Sequence, residues 1–341
     1  MIKVRLNPLN HIQYASFYIY ALREIFGAKA VCFDSAPFKD LSLDAQTSRG
    51  LLFTIKGTEQ SEIKYYICGN DSYRIDEEIY EWCDVYASVN ANLANTPGRD
   101  KLVSLAPSFA IRTGGTGSII LTALSNSIPY LKASHGHKLK TFIGNYKRLL
   151  NRPYYTDMMP EKSRNDYIFF CSTLWYSDEW NRNDETVNAR RANFIRACKE
   201  IDGIRFEGGF VAQGERSSAD LFSDCLSITS YPYQTWLQKT KESALVFNTP
   251  AFWDCHGWKL GEYLALGKAI ISTPLSNDLP APLTHGVNIH FVENDKESMK
   301  EAIRFIMAHP EYKEKLEQGA KGYWDKYGTP VKSLELLGIH S

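Results

Sequence analysis

The chain has 341 residues, 44% apolar and 23% charged, and its 39 Lys plus Arg balance 39 Asp plus Glu to a formal net charge of zero. This is the composition of a soluble globular protein and excludes disorder, collagen or coiled coil as the main architecture. It also lacks the basic excess of a dedicated nucleic-acid binder, and its length suggests about two domains of ~100–200 residues.

The first half alternates short strands with helices. Residues 1–6 form a short apolar-alternating start. Residues 14–26 carry Tyr14, Tyr18, Ala21, Leu22, Ile25 and Phe26 at helical spacing, with Gly27 as the stop. Strand-like runs follow at 30–33, 51–55, 64–68 and 84–89, with another over 101–111 that Pro107 breaks. Reading these strands as not hairpin-linked, with helical patterns between them, predicts a parallel sheet covered on both faces. The loop Arg112-Thr-Gly-Gly-Thr-Gly-Ser118 lacks the Lys and spacing of a P-loop and reads as a flexible loop. Pro153, Pro160 and the polar run around them mark a linker, which places the domain boundary near 160–166.

The second half repeats the alternation. The strand 167–171 (YIFFC) precedes a helix at about 184–200 with Ala189, Ala192, Ile195 and Cys198 on one stripe. Arg190, Arg191 and Arg196 of that helix read as a solvated face. A strand at 204–206, the helix YQTWLQKTKES, the strand 244–248 (ALVFN), the helix HGWKLGEYLALG and the strand 269–272 (AIIS) come next. A strand at 288–292, a helix from Lys296 and a helical tail over 311–337 complete the chain. The expected fold is α/β, as two doubly wound, Rossmann-like domains: 1–162, with the tail 320–341 packing back on it, and 163–319. In such folds ligands bind at the carboxyl ends of strands, and with two domains the cleft between them is the default site.

The seven cysteines are scattered, with no CxxC, and read as reduced thiols. The opening MIKVRLNPLNHIQYASFYIY lacks an apolar signal core with a cleavage site, and no stretch reaches ~18 apolar residues. The expectation is a cytoplasmic protein. The segment 132–155 is basic (Lys132, Lys138, Lys140, Lys147, Arg148, Arg152) with Phe142, Ile143, Tyr146, Leu149 and Leu150 interleaved. It reads either as a peripheral contact with anionic lipid headgroups or as an ordinary helix with its apolar side in the core. His135 and His137 form a pair without a third ligand and do not make a zinc site.

The chemistry concentrates in 244–275, ALVFNTPAFWDCHGWKLGEYLALGKAIISTPL. A buried strand ends in a polar loop that feeds a helix. Asp254, His256, Lys259 and Glu262 cluster in the loop and first turns, with Gly257 and Trp258 at the helix start. A helix N-terminus at a strand's carboxyl end favours phosphate, and Lys259 adds a cation. Lys259 and Glu262 are three apart and share a helix face. A carboxylate one turn in can accept bonds from both ribose hydroxyls, so the segment reads as a nucleotide site.

Asp254-x7-Glu262 followed by YLALGKAIISTPLSNDLP resembles the C-terminal nucleotide-sugar domain of GT-B glycosyltransferases, in particular the group 1, family 4-like enzymes. The resemblance covers roughly 165–330. It implies GT-B architecture and a retaining hexosyltransferase. Such an enzyme moves a sugar from a nucleotide-sugar donor to a glycan or lipid-linked acceptor in bacterial surface polysaccharide synthesis, without a metal or resident cofactor. It places Glu262 on the ribose and Asp254 near the donor sugar and phosphate. Ser172 and Thr173, after the first strand of the domain, stand where the family has its basic pair, and that pair is not evident in CSTLWYSDEWNRND. The family's Gly-Gly loop is replaced by Asn7-Pro8-Leu9-Asn10-His11. His11, which follows the first strand, reads either as an ordinary surface-loop histidine or as a candidate general base or acceptor contact. His256 is preferred to Cys255 as a donor-site residue, because glycosyl transfer needs no thiol. A nucleotide-sugar epimerase on the same scaffold and a non-enzymatic two-lobed ligand-binding protein are the alternatives.

Overall fold

The computed structural model describes residues 2–58, 61–134, 139–175, 183–212, 222–227 and 229–340. The chain divides into two compact units: Met1–Met158 with Asn277–Ala281 and Lys326–Ser341, and Met159–Ser276 with Pro282–Asp325.

The first unit is built on β1 (Lys3–Leu6), α1 (Ile12–Phe26), β2 (Val31–Phe33), α2 (Leu43–Gln46), β3 (Gly50–Lys56), β4 (Ile63–Cys68), α3 (Glu77–Trp82), β5 (Val85–Ser88) and β6 (Leu102–Ser104). Its six-stranded sheet runs β2-β1-β3-β4-β5-β6. β1 with β2, and β4 with β5 and β6, pair in parallel. β3 is antiparallel to both of its neighbours, which corrects the all-parallel expectation. The reason lies in chain length: β3 and β4 are separated by only residues 57–62, and a parallel crossover needs a dozen or more. β6 ends at Ser104, before Pro107, which lacks the N–H a ladder needs. Leu52, Tyr66, Ile79 and Tyr86 pack together under one face of the sheet. Two further helices, α4 (Thr116–Ala133) and α5 (Leu139–Leu149), belong to this unit.

The segment Asn277–Ala281 also belongs to the first unit. The Asp278 N–H donates to Ala91 O at 2.8 Å, and its carboxylate accepts the Leu93 N–H at 2.6 Å.

The second unit contains β7 (Tyr167–Thr173), α6 (Asn183–Lys199), β8 (Arg205–Val211), α7 (Tyr233–Glu242), β9 (Val246–Asn248), α8 (Trp258–Ala265), β10 (Ile270–Ser272), β11 (His290–Phe291), α9 (Lys296–Ala308) and α10 (Pro310–Tyr323). β7 with β8, and β9 with β10 and β11, pair in parallel. β7 lies beside β9: the Ala244 N–H donates to Tyr167 O at 2.7 Å and the Phe169 N–H to Ser243 Oγ at 2.9 Å. The spatial order is therefore β8-β7-β9-β10-β11. β8 runs five residues beyond its expected end at Phe206, because Glu207-Gly208-Gly209 hides it from an apolar pattern. Gly208 has φ +114°, and a Cβ there would sit 2.0 Å from Phe170 O, so the close approach of β8 to β7 requires glycine. Ile168, Phe170, Phe194, Phe247, Ile271 and Ile303 form the core, with the rings of Phe194 and Phe247 stacked at 4.5 Å.

The chain closes with α11 (Pro330–Glu335), which packs against α1 in the first unit. Thr329 caps it by accepting the Lys332 N–H at 3.2 Å.

Candidate functional site

The strand order of the second unit fixes where a ligand can sit. From β7 the chain crosses through α6 to β8 on one side, and later through α7 to β9 on the other. The two crossovers therefore leave β7 in opposite directions along the sheet, and the order reverses between β7 and β9. This reversal point is the usual ligand crevice of an open α/β sheet. A cavity of about 380 Å³ lies there. Its walls are the end of β7 (Cys171, Ser172, Thr173), the end of β9 (Asn248, Thr249) and the start of α8 (Gly257, Trp258).

Two cations enter this cavity. Lys259, in the first turn of α8, donates its ammonium to Cys171 O and lies 4.9 Å from the Phe170 ring centroid. Loss of water around it, and then the positive charge of Arg191, push its pKa down to about 8. Arg191, from α6, lines the same cavity while only 8% exposed. Burial pushes its pKa down to about 10, and Nη1 lies 3.5 Å from Thr173 O. Two like charges held together with little water are unfavourable alone and favourable around an anion.

Arg191 corrects the reading of Arg190, Arg191 and Arg196 as one solvated face. Arg196 does lie outward, pairing with Asp224 at 2.6 Å. Arg191 instead shares a stripe with Ile195 and Cys198, four and seven residues on, both buried. That spacing was the signal that could have found it. The same helix supplies Asn188, which grips the Trp175 backbone through Oδ1 (3.3 Å) and Nδ2 (2.9 Å).

The rest of the cavity mixes apolar side chains, Phe170, Val211 and Phe247, with polar ones that are braced. Asn248 Nδ2 donates to Ser272 Oγ at 3.0 Å, and the hydroxyls of Thr249 and Thr273 meet at 2.8 Å. The start of α8 borders the cavity, and Gly257, its N-cap, brings no side-chain cap. Trp175 lines the cavity 44% exposed and stacks on Phe252 at 6.2 Å, which gives the rim a flat aromatic face. Trp175, Asn248, Thr249 and Arg191 are among the lining residues that sequence reasoning missed.

Glu262 stands one turn further along α8, 4% exposed, outside the described lining of the cavity. The Tyr233 hydroxyl donates to its Oε1 at 2.7 Å. Asp254 is exposed, in the loop ahead of α8. It and Trp253 hold φ of +58° and +55°, a region non-glycine residues rarely adopt. Backbone bonds close that loop: Ala251 N–H to Cys255 O at 2.8 Å and Asp254 N–H to Ala251 O at 3.1 Å. Such paired strain costs of order 1–3 kcal/mol per residue and concentrates at functional loops. His256 is 5% exposed and lies outside the described cavity lining. The structure thus brings Ser172, Thr173, Gly257, Trp258 and Lys259 to one cavity, with Glu262, Asp254 and His256 around the same loop and helix.

His11 belongs to the first unit, where it lines a separate cavity of about 150 Å³ with Asn126, Asn145 and Tyr146. Burial lowers its pKa. His135, His137, Lys138 and Arg182 lie outside the described residues. Among the described residues no group of three or more His, Cys, Asp or Glu could hold a metal ion. All seven cysteines are free.

No protein-family model and no curated protein matches the sequence. Among solved structures the chain is similar to a glycosyltransferase from Rickettsia africae, at 10% identity over 78% of this chain and 66% of that one, with a TM-score of 0.41. It is similar to the UDP-GlcNAc 2-epimerase of Neisseria meningitidis bound to UDP-GlcNAc, at 13% identity over 77% and 64% of the two chains, with a TM-score of 0.39. It is also similar to a TarM mutant of S. aureus in complex with fondaparinux, alpha-GlcNAc-glycerol and UDP, at 10% identity over 96% and 59%, with a TM-score of 0.47. The chain spans less than two thirds of the length of each of these three.

Proposed function

We propose that this chain is a glycosyltransferase that takes a sugar from a nucleotide donor held in the second unit. The observation that carries the reading is the pairing of Arg191 with Lys259 in the cavity at the ends of β7 and β9. A diphosphate there would relieve their mutual repulsion and meet the positive end of α8. As the bond to the sugar breaks, negative charge grows on the leaving phosphate. Fixed cations in a dry site stabilise that charge more than they stabilise the bound donor. Side-chain cations thereby take the part a divalent metal plays elsewhere, so turnover is expected to survive EDTA.

The Tyr233 hydroxyl makes with Glu262 the contact a ribose hydroxyl would make. In this proposal the ribose displaces Tyr233, and Trp175 receives the base on its exposed face. Asp254 and His256 contact the donor sugar, and His11 serves the acceptor in the first unit. The family resemblance supports a retaining outcome and a glycan or lipid-linked glycan acceptor on the cytoplasmic side.

The test is a screen of nucleotide sugars against a lipid-extract acceptor, in EDTA, with the product read by mass spectrometry. UDP-sugars come first, since UDP or a UDP-sugar stands in two of the similar structures. A sugar joined to the acceptor supports the reading, and its anomer by NMR reads the stereochemistry. Conversion of the donor to an epimer with no acceptor present would make the chain an epimerase instead. Turnover that appears only on adding Mn²⁺ would reject the metal-free scheme.

A further inference from the structure

Helix α4 is inside out. Its inner stripe, Ile119, Thr122, Asn126 and Tyr130, is buried and half polar. Asn126 is 2% exposed and donates through Nδ2 to Pro8 O at 3.1 Å and Tyr146 Oη at 3.2 Å. Thr122 Oγ1 accepts from Arg23 Nη2 at 3.1 Å. The outer stripe is Ile120, Leu121, Leu124, Ile128 and Leu131, each between 41% and 67% exposed. On the neighbouring α5, Leu139 and Ile143 are 46% and 58% exposed. A helix against water places these residues the other way round, and a contiguous apolar patch of this kind marks a contact surface.

The charge around the stripe says what it contacts. From residue 101 to 156 the sequence has eight Lys or Arg and no Asp or Glu, in a chain whose net charge is zero. Lys132 at the end of α4, and Lys140, Lys147 and Arg148 on α5, are all exposed. A second copy of the chain laid on this face would bring two sets of these cations together. An anionic lipid surface satisfies both features: acyl chains take the apolar stripe, and headgroups take the lysines. No helix among the described residues is long and apolar enough to cross a membrane, so the contact lies in the plane of the surface.

We propose that the outer face of α4, flanked by the basic residues of α5, seats this protein on an anionic membrane surface. The apolar residues expected to do this from 132–155 are not the main ones. Phe142, Tyr146 and Leu149 are spent on the core, and α4 supplies the free apolar face instead. The proposal does not depend on the nucleotide site, which lies in the other unit.

The test is flotation of the full chain with vesicles of phosphatidylcholine alone or mixed with phosphatidylglycerol. The wild type is expected to float with the mixed vesicles at least about tenfold more than with the neutral ones. The triple variant Leu121→Ser, Leu124→Ser, Ile128→Ser replaces exposed side chains only. It is expected to keep its melting temperature and nucleotide binding while losing at least about tenfold in vesicle binding. Wild-type protein that stays free of anionic vesicles would overturn the proposal, as would a triple variant that floats like the wild type. A wild-type dimer in sedimentation that the triple variant dissociates would assign the stripe to a second copy instead.

Discussion

α8 and α4 break the same rule in opposite directions. Both start at a glycine with no side-chain cap, Gly257 and Gly115. α8 turns charge inward: Glu262 is buried and Lys259 sits largely out of water beside the buried Arg191. α4 turns apolar side chains outward and buries Thr122 and Asn126. Folding alone rewards neither arrangement. Desolvated like charges destabilise unless something pairs with them, and exposed leucines gain nothing from water. The contrast suggests that each helix is shaped for something beyond its own chain, an anion in one unit and an apolar, anionic surface in the other.

Four further measurements sharpen the α8 side of this contrast. The largest effect is expected from Lys259→Met. Removing a charge-assisted contact should cost UDP about 2–3 kcal/mol, roughly 30–150-fold in affinity. The variant should melt no lower than the wild type, because it removes a desolvated ammonium beside Arg191. A clear fall in melting temperature with unchanged UDP affinity would make Lys259 structural.

Glu262→Ala comes next, at about 1–3 kcal/mol of nucleotide affinity by titration calorimetry, with the fold intact by circular dichroism. Unchanged affinity would remove the ribose assignment.

The third effect is on pH. Lys259 has its pKa lowered to about 8 in the free protein. A bound diphosphate favours its charged form and raises that value, so binding takes up a proton above pH ~8. On the alkaline side UDP affinity should fall by up to about tenfold per pH unit above 8. Affinity that rises across this range has the wrong sign for the account.

The smallest effect is Tyr233→Phe. It removes the hydroxyl that the ribose would displace, so UDP should bind slightly tighter, by about 0.5–1.5 kcal/mol at most. A loss of affinity would make Tyr233 a ligand of the nucleotide.

The fold was largely legible because its strands are short, apolar and bounded by turn residues. Where reading failed, a specific local feature outweighed the pattern. β3 turned antiparallel because residues 57–62 are too few to cross over. β8 was cut short because its glycines carry no hydropathy signal. At the site, Lys259 and its neighbours were legible because they crowd one strand–helix junction. Arg191 was not, since it lies 68 residues from Lys259 along the chain, and an arginine on a helix reads as solvent-facing until its buried stripe partners are counted. α4 was passed over for a similar reason: periodicity shows that a helix has an apolar stripe, not which way that stripe faces.

The most direct test of the central claim compares UDP with uridine on the wild type and on Lys259→Met. If the paired cations hold a diphosphate, the wild type should prefer UDP by about a hundredfold or more, roughly two charge-assisted contacts, and the variant should lose most of that preference. Equal affinity of the wild type for UDP and uridine, or a preference that survives the substitution, would contradict it.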